Sequence, residues 1–166
     1  PGTTVTITAT PSTGYEFTGW AGSGIADSNS STTSVLLSSD NNLTALFSLK
    51  SFSLSLGTIG AGTVSGGGSF AFGASIPISA TPSGGYTFSR WEGSGVSNPS
   101  VSSTTASISE DRNLTAVFLP KSYSVVLEQT EGGVANGSGT FTHGSVIDII
   151  ASAQAGFKFA GWSGGT

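Results

Sequence analysis

The sequence predicts an all-β chain of tandem small antiparallel units, sandwich-like or grasp-like, strung into a rod. Three observations predict it. The chain repeats itself every 71 residues, apolar residues alternate with polar ones, and turn-forming residues separate the alternating runs.

The repeat is the strongest of these. Trp20, Trp91 and Trp162 stand 71 residues apart, and the same offset relates Tyr15, Tyr86 and Phe157, then Phe17, Phe88 and Phe159. It carries Phe47 onto Phe118, and Asn42-Leu43-Thr44-Ala45 onto Asn113-Leu114-Thr115-Ala116. Upstream it carries Phe52 onto Tyr123, Gly62 onto Gly133 and Phe70 onto Phe141. The aromatic positions are the expected repeat core, because large rings are the natural filler of a small β unit. The register divides the chain into residues 1–48, the C-terminal part of a repeat; 49–118, one complete repeat; and 119–166, the N-terminal part of a third. With no Met, no signal peptide and both ends in mid-repeat, a longer parent protein is expected.

Alternation places Val5, Ile7 and Ala9 on one face, then Ile76, Ile78 and Ala80, then Ile147, Ile149 and Ala151. Such residues suit a pleated surface with one buried side. No stretch carries a 3.6-residue apolar period. Thr10-Pro11-Ser12-Thr13-Gly14 and Thr81-Pro82-Ser83-Gly84-Gly85 are turn sequences, as are the corners at Asp40 and Asp111. Pro77, between Ile76 and Ile78, cannot donate to a ladder and predicts an edge or a bulge there. Gly66-Gly67-Gly68 and Gly137-Ser138-Gly139 read as hairpin loops; neither opens a helix, as a phosphate loop would. A 71-residue unit is close to the lower limit for independent folding, so contacts between neighbouring repeats are expected. Joints of about four residues, 48–51 and 119–122, make the rod semi-rigid, advancing roughly 30–40 Å per unit.

Composition excludes several function classes. Only 8% of residues are charged, against roughly 25% in an average globular protein, yet 36% are hydrophobic and 10% aromatic. A core is therefore available, and the chain should fold. A net charge of −4 with only 5 Lys and Arg offers no basic stripe for nucleic acid. No apolar run approaches the ~20 residues of a membrane-spanning helix. His143 is the only histidine, too few for a triad or a zinc site, and reads as a turn or surface residue. The acids do not recur as a set: Glu16 becomes Thr87 and Lys158, Asp27 becomes Asn98, and only Asp40 returns, as Asp111. That recurrence reads as a turn-forming Asp. A calcium site at Asp40-Asn41-Asn42 is opposed by Arg112 in the equivalent corner. Glu110 and Asp111, as neighbours, would point to opposite faces and cannot serve as a facing carboxylate pair. No catalytic residue, metal site or cofactor is expected, and the chain reads as a non-enzyme.

The run from Gly73 through Ile76, Ile78, Ala80 and Pro82, then Gly85, Tyr86, Phe88, Trp91 and Gly93, closing with Asn113-Leu114-Thr115-Ala116-Val117-Phe118, resembles the divergent internalin-type B-repeat. Residues 2–22 and 42–47 follow the same pattern, and 144–164 follow its front half. Arg90 departs from the usual Gly before Trp91, and Ala153 from the usual Pro. The resemblance implies an extracellular or cell-surface bacterial protein in which such repeats form stalks beside adhesive, catalytic or cell-wall modules. The expected role is a stalk, spacer or fibre in adhesion, with neighbouring repeats, and other copies in a fibre, as partners. The alternative is a module binding surface glycans or a host partner, with Trp20, Trp91 and Trp162 as exposed platforms rather than core.

Overall fold

A computed structural model describes residues 2–164. These residues form strands and turns with no helix. The tail of the first repeat holds β1 (Thr3–Thr8), β2 (Tyr15–Ala21), β3 (Thr32–Leu37) and β4 (Thr44–Leu49). The complete repeat holds β5 (Ser51–Ile59), β6 (Gly62–Ser65), β7 (Gly68–Ala71), β8 (Ser75–Pro82), β9 (Tyr86–Glu92), β10 (Ser103–Ser107) and β11 (Arg112–Pro120). The head of the third holds β12 (Ser122–Val125), β13 (Gly133–Asn136), β14 (Gly139–Thr142) and β15 (Ile150–Ala153).

The complete repeat is a two-sheet sandwich: β10-β8-β6 faces β7-β5-β11-β9. The alternation seen in the sequence sends Ile78 and Ala80 from the first sheet, with Ala106 and Ile108, against Leu54, Trp91, Leu114, Ala116 and Phe118 of the second. This is the buried core, and every member belongs to the complete repeat. Most pairings are antiparallel, but β5 and β11, the first and last strands, run parallel, with Arg112 level with Leu54 and Val117 with Ile59. Parallel neighbours at the two ends of a repeat mean that the chain leaves at the end opposite its entry.

The half-repeats reproduce these pairings as far as their strands go. β1–β3 matches β8–β10 and β2–β4 matches β9–β11; β12–β14 matches β5–β7 and β13–β15 matches β6–β8. In the head, the strand predicted around Ile147 and Ile149 forms only over Ile150–Ala153, and residues 157–162 carry no strand. Among the described residues nothing stands where β10 and β11 support the same segments in the complete repeat.

Three expectations need correction. β8, which carries Pro77, is the middle strand of its sheet rather than an edge. The β6 ladder ends at Ser65↔Ser79, so at Pro77 the strand faces only β10, and proline is tolerated locally. The loops at Gly66 and Gly137 are not hairpins. β6 pairs with β8 and β7 with β5, so the chain crosses from one sheet to the other. Gly66, at φ +110°, takes this corner where a Cβ would lie 2.4 Å from the Pro77 carbonyl oxygen. Finally, each joint is a single residue, Lys50 or Lys121, rather than about four.

Candidate functional site at the joint between repeats

Of the aromatic residues expected as repeat core, the Phe and Trp three residues apart meet in each copy, and a second Phe joins them in the first two. Phe88 meets Trp91 and Phe118, each with ring centroids 6.1 Å apart; Phe17 meets Trp20 at 5.7 Å and Phe47 at 6.0 Å; Phe159 meets Trp162 at 5.5 Å. Phe88 and Trp91 are three residues apart and in a regular strand would face opposite sides. A bulge between Val117 and Phe118 in the ladder with β9 lets one residue pass unpaired, so both rings turn inward. The bulge recurs between Phe17 and Gly19. The repeated three-residue Phe-to-Trp spacing was the sequence signal for it.

Burial separates the copies. Trp91 is 2% exposed and Phe118 2%, whereas Phe47 is 40%, Tyr15 43%, Trp162 45%, Phe159 52% and Phe157 59%. Trp20, Phe17, Phe88 and Tyr86 are half-buried. In the complete repeat the Trp91 ring is enclosed, with its indole N–H donating to the Ser102 carbonyl at 3.4 Å.

The joint is where the units touch. The Lys50 amide donates to the Gly14 carbonyl of the preceding unit, and the Lys50 carbonyl accepts from the Phe72 amide. One period on, the Lys121 amide donates to Gly85 and the Lys121 carbonyl accepts from His143. Phe72 lies on Gly14 and His143 on Gly85: a Cβ on either glycine would fall 2.1 Å from a ring carbon. Both glycines sit near φ +80°, so the position needs glycine twice over, for the turn and for the ring. Gly156, at φ +86° in the third copy, has nothing within 4 Å of its Cβ position. His143 also meets Tyr86 of the preceding unit at 5.9 Å and Tyr123 of its own at 6.1 Å. It was read from sequence as an unremarkable turn residue; its place in the joint was visible only in its 71-residue offset from Phe72.

The polar residues hold corners. The Asp111 carboxylate accepts from the Ser53 amide at 2.7 Å and the Ser53 hydroxyl at 3.0 Å, latching the last corner to the first strand. These two hydrogen bonds, the amide first, hold its carboxyl below the ordinary range for Asp. A depressed carboxyl pKa contributes stability that is present above about pH 4, the unfolded value, and is lost as pH falls through the folded one. Stability measured by circular dichroism should therefore fall on acidification below about pH 4, and Asp111→Asn should flatten that dependence; an unchanged profile would remove the latch from the account.

Arg112 donates to the Ser107 carbonyl at 2.6 Å and the Ser94 hydroxyl at 2.7 Å, pinning the loop after β9. Asn41 does the same work on Ser23 in the first copy. Asp27 accepts from the Asn29 amide and Asn98 from the Ser100 amide in matching turns, so a charged carboxylate is not what that position requires. Among the described residues no three His, Asp or Glu side chains converge as metal ligands. Arg90, where the resemblance expects glycine, pairs with Glu92 on the surface.

The fold and joint define an all-β repeat array: two-sheet units linked end to end through one residue and one ring. The chain belongs to the divergent InlB B-repeat domain family, whose model matches residues 1–51, 52–122 and 123–166. This is a repeat-domain family not known for catalysis, typical of extracellular or cell-surface bacterial proteins. No curated protein and no solved structure matches the chain.

Proposed function

We propose that this chain is a load-bearing spacer: part of a stalk or fibre in a secreted or cell-surface bacterial adhesive protein, and not an enzyme. The observation that carries the reading is the parallel pairing of β5 with β11 combined with one-residue joints. Arg112 is level with Leu54, so the next repeat begins roughly thirteen strand positions beyond Ser51. At ~3.3 Å per residue each repeat adds about 40 Å of length. The glycine-borne rings and paired backbone hydrogen bonds then limit bending at each joint. A single family module copied with fixed spacing suits a role set by distance rather than by chemistry.

Small-angle scattering on arrays of two, three and four repeats tests this. The maximum dimension should rise by about 40 Å with each added repeat. A dimension that grows with the cube root of mass, as for a compact globule, would sink the spacer role.

A further inference from the structure

We infer that the outer edge of β6 is a docking surface for a second copy of this chain, whose own β6 pairs with it antiparallel about Thr63. The inference rests on the spacer reading for its purpose and names the spacer's partner, a neighbouring rod. The edge is native to the complete repeat, because all strands of its two sheets, β10-β8-β6 and β7-β5-β11-β9, lie within that one repeat.

A sheet edge offers unpaired amides and carbonyls, and proteins ordinarily cover it, charge it or interrupt it with proline. The opposite side of this sandwich is covered. The loop after β9 runs along β10, where the Ser97 amide donates to the Thr105 carbonyl and the Ser107 amide to the Gly95 carbonyl, each at 2.9 Å. The same loop returns to β9, its Pro99 carbonyl accepting from the Trp91 amide at 2.8 Å. The first copy seals β3 in the same way, Ala26 donating to Ser34 and Leu36 to Gly24. β6 carries none of these devices. It ends its sheet with only β8 beside it, and from Ser51 to Ser89 the chain holds no charged residue.

The ladder with β8 shows which groups are open. The Ser83 amide donates to the Ala61 carbonyl, so these two residues form a hydrogen-bonded pair. Bonded and non-bonded pairs alternate along an antiparallel ladder. Thr63 with Thr81 and Ser65 with Ser79 are therefore bonded, and the amides and carbonyls of Gly62 and Val64 turn away from β8. Pro82, which has no amide to give, stands opposite Gly62, where none is called for. This edge is self-complementary. Turned about a two-fold axis at Thr63, Gly62 of each copy meets Val64 of the other, and every outward group of both residues gains a partner. Thr63 faces its own copy with no charge between them. Alongside in the other sheet, the exposed β7 residues Gly68, Ser69 and Ala71 are small enough to let the two edges close. Because each sheet's far side is covered by its own loop, pairing stops at two copies of the repeat.

The chain contains no cysteine, so one introduced thiol reports the pairing in the full 166-residue polypeptide. Residues opposite each other in a non-bonded pair stand about 4.5 Å apart at Cα, within the range of a disulfide. Oxidised Thr63→Cys should therefore form a disulfide-linked dimer, whereas Ser103→Cys, on the covered strand β10, should remain largely monomeric. Sedimentation of the unmodified chain should show a concentration-dependent dimer. Thr63→Lys sets two like charges face to face and should abolish that dimer with an unchanged circular dichroism spectrum. Equal cross-linking at positions 63 and 103, or a Thr63→Lys chain that dimerises as the unmodified one does, overturns the inference. An elongated monomer at every concentration overturns it while leaving the spacer function standing; a compact dimer linked through position 63 does the reverse.

Discussion

Trp91→Ala is expected to cost about 3–5 kcal/mol, the range for removing a large aromatic from a closed core. Trp91 is 2% exposed, touches Phe88, and sits among Leu114, Ala116 and Phe118. Small domains have total stabilities near the low end of 5–15 kcal/mol, so this one change should leave the complete repeat with little or no net stability near room temperature. Trp162→Ala removes the same side chain from a site 45% exposed, and Trp20→Ala from one half-buried, so both should cost clearly less. Urea titration followed by far-ultraviolet circular dichroism separates the three. Equal losses would mean that the core is not concentrated in the central repeat.

The second large effect belongs to the joint. Gly85→Ala forces a side chain into φ +81° and places its Cβ 2.1 Å from the His143 ring. The backbone strain alone is worth roughly 1–2 kcal/mol, and the ring must also leave its seat. Gly156→Ala provides the internal control: its φ is +86°, but nothing lies within 4 Å. Gly85→Ala should destabilise more than Gly156→Ala and should broaden the distance distribution in scattering, because the unit that follows loses its stop. Equal destabilisation with no change in scattering would show that the ring contributes nothing to the joint.

Much of this architecture was legible in the residues. The 71-residue offset located every copy, and alternation at Ile76, Ile78 and Ala80 gave a strand whose buried members are Ile78 and Ala80. What stayed hidden was non-local. The parallel match of β5 with β11, and the Asp111 latch on Ser53, join residues 58 positions apart, and no local pattern reports on such pairing. Gly66 was misread for the same reason. A Gly-rich gap between short strands looks alike whether the strands pair with each other or sit in opposite sheets. The ring seated at the joint escaped notice because it changes type, from Phe72 to His143, while its geometry is kept.

The parallel arrangement of β5 and β11 has a mechanical corollary. Tension pulling the chain from both sides enters a complete repeat at the start of β5 and exits at the end of β11. The two strands are neighbours, and the force runs along them in opposite senses. Their ladder, Arg112↔Leu54 through Val117↔Ile59, is thus loaded in shear, with its hydrogen bonds resisting together. A hairpin pulled from its open end would unzip one bond at a time. The same strand order that lets the units line up also makes each of them stiff against being drawn out.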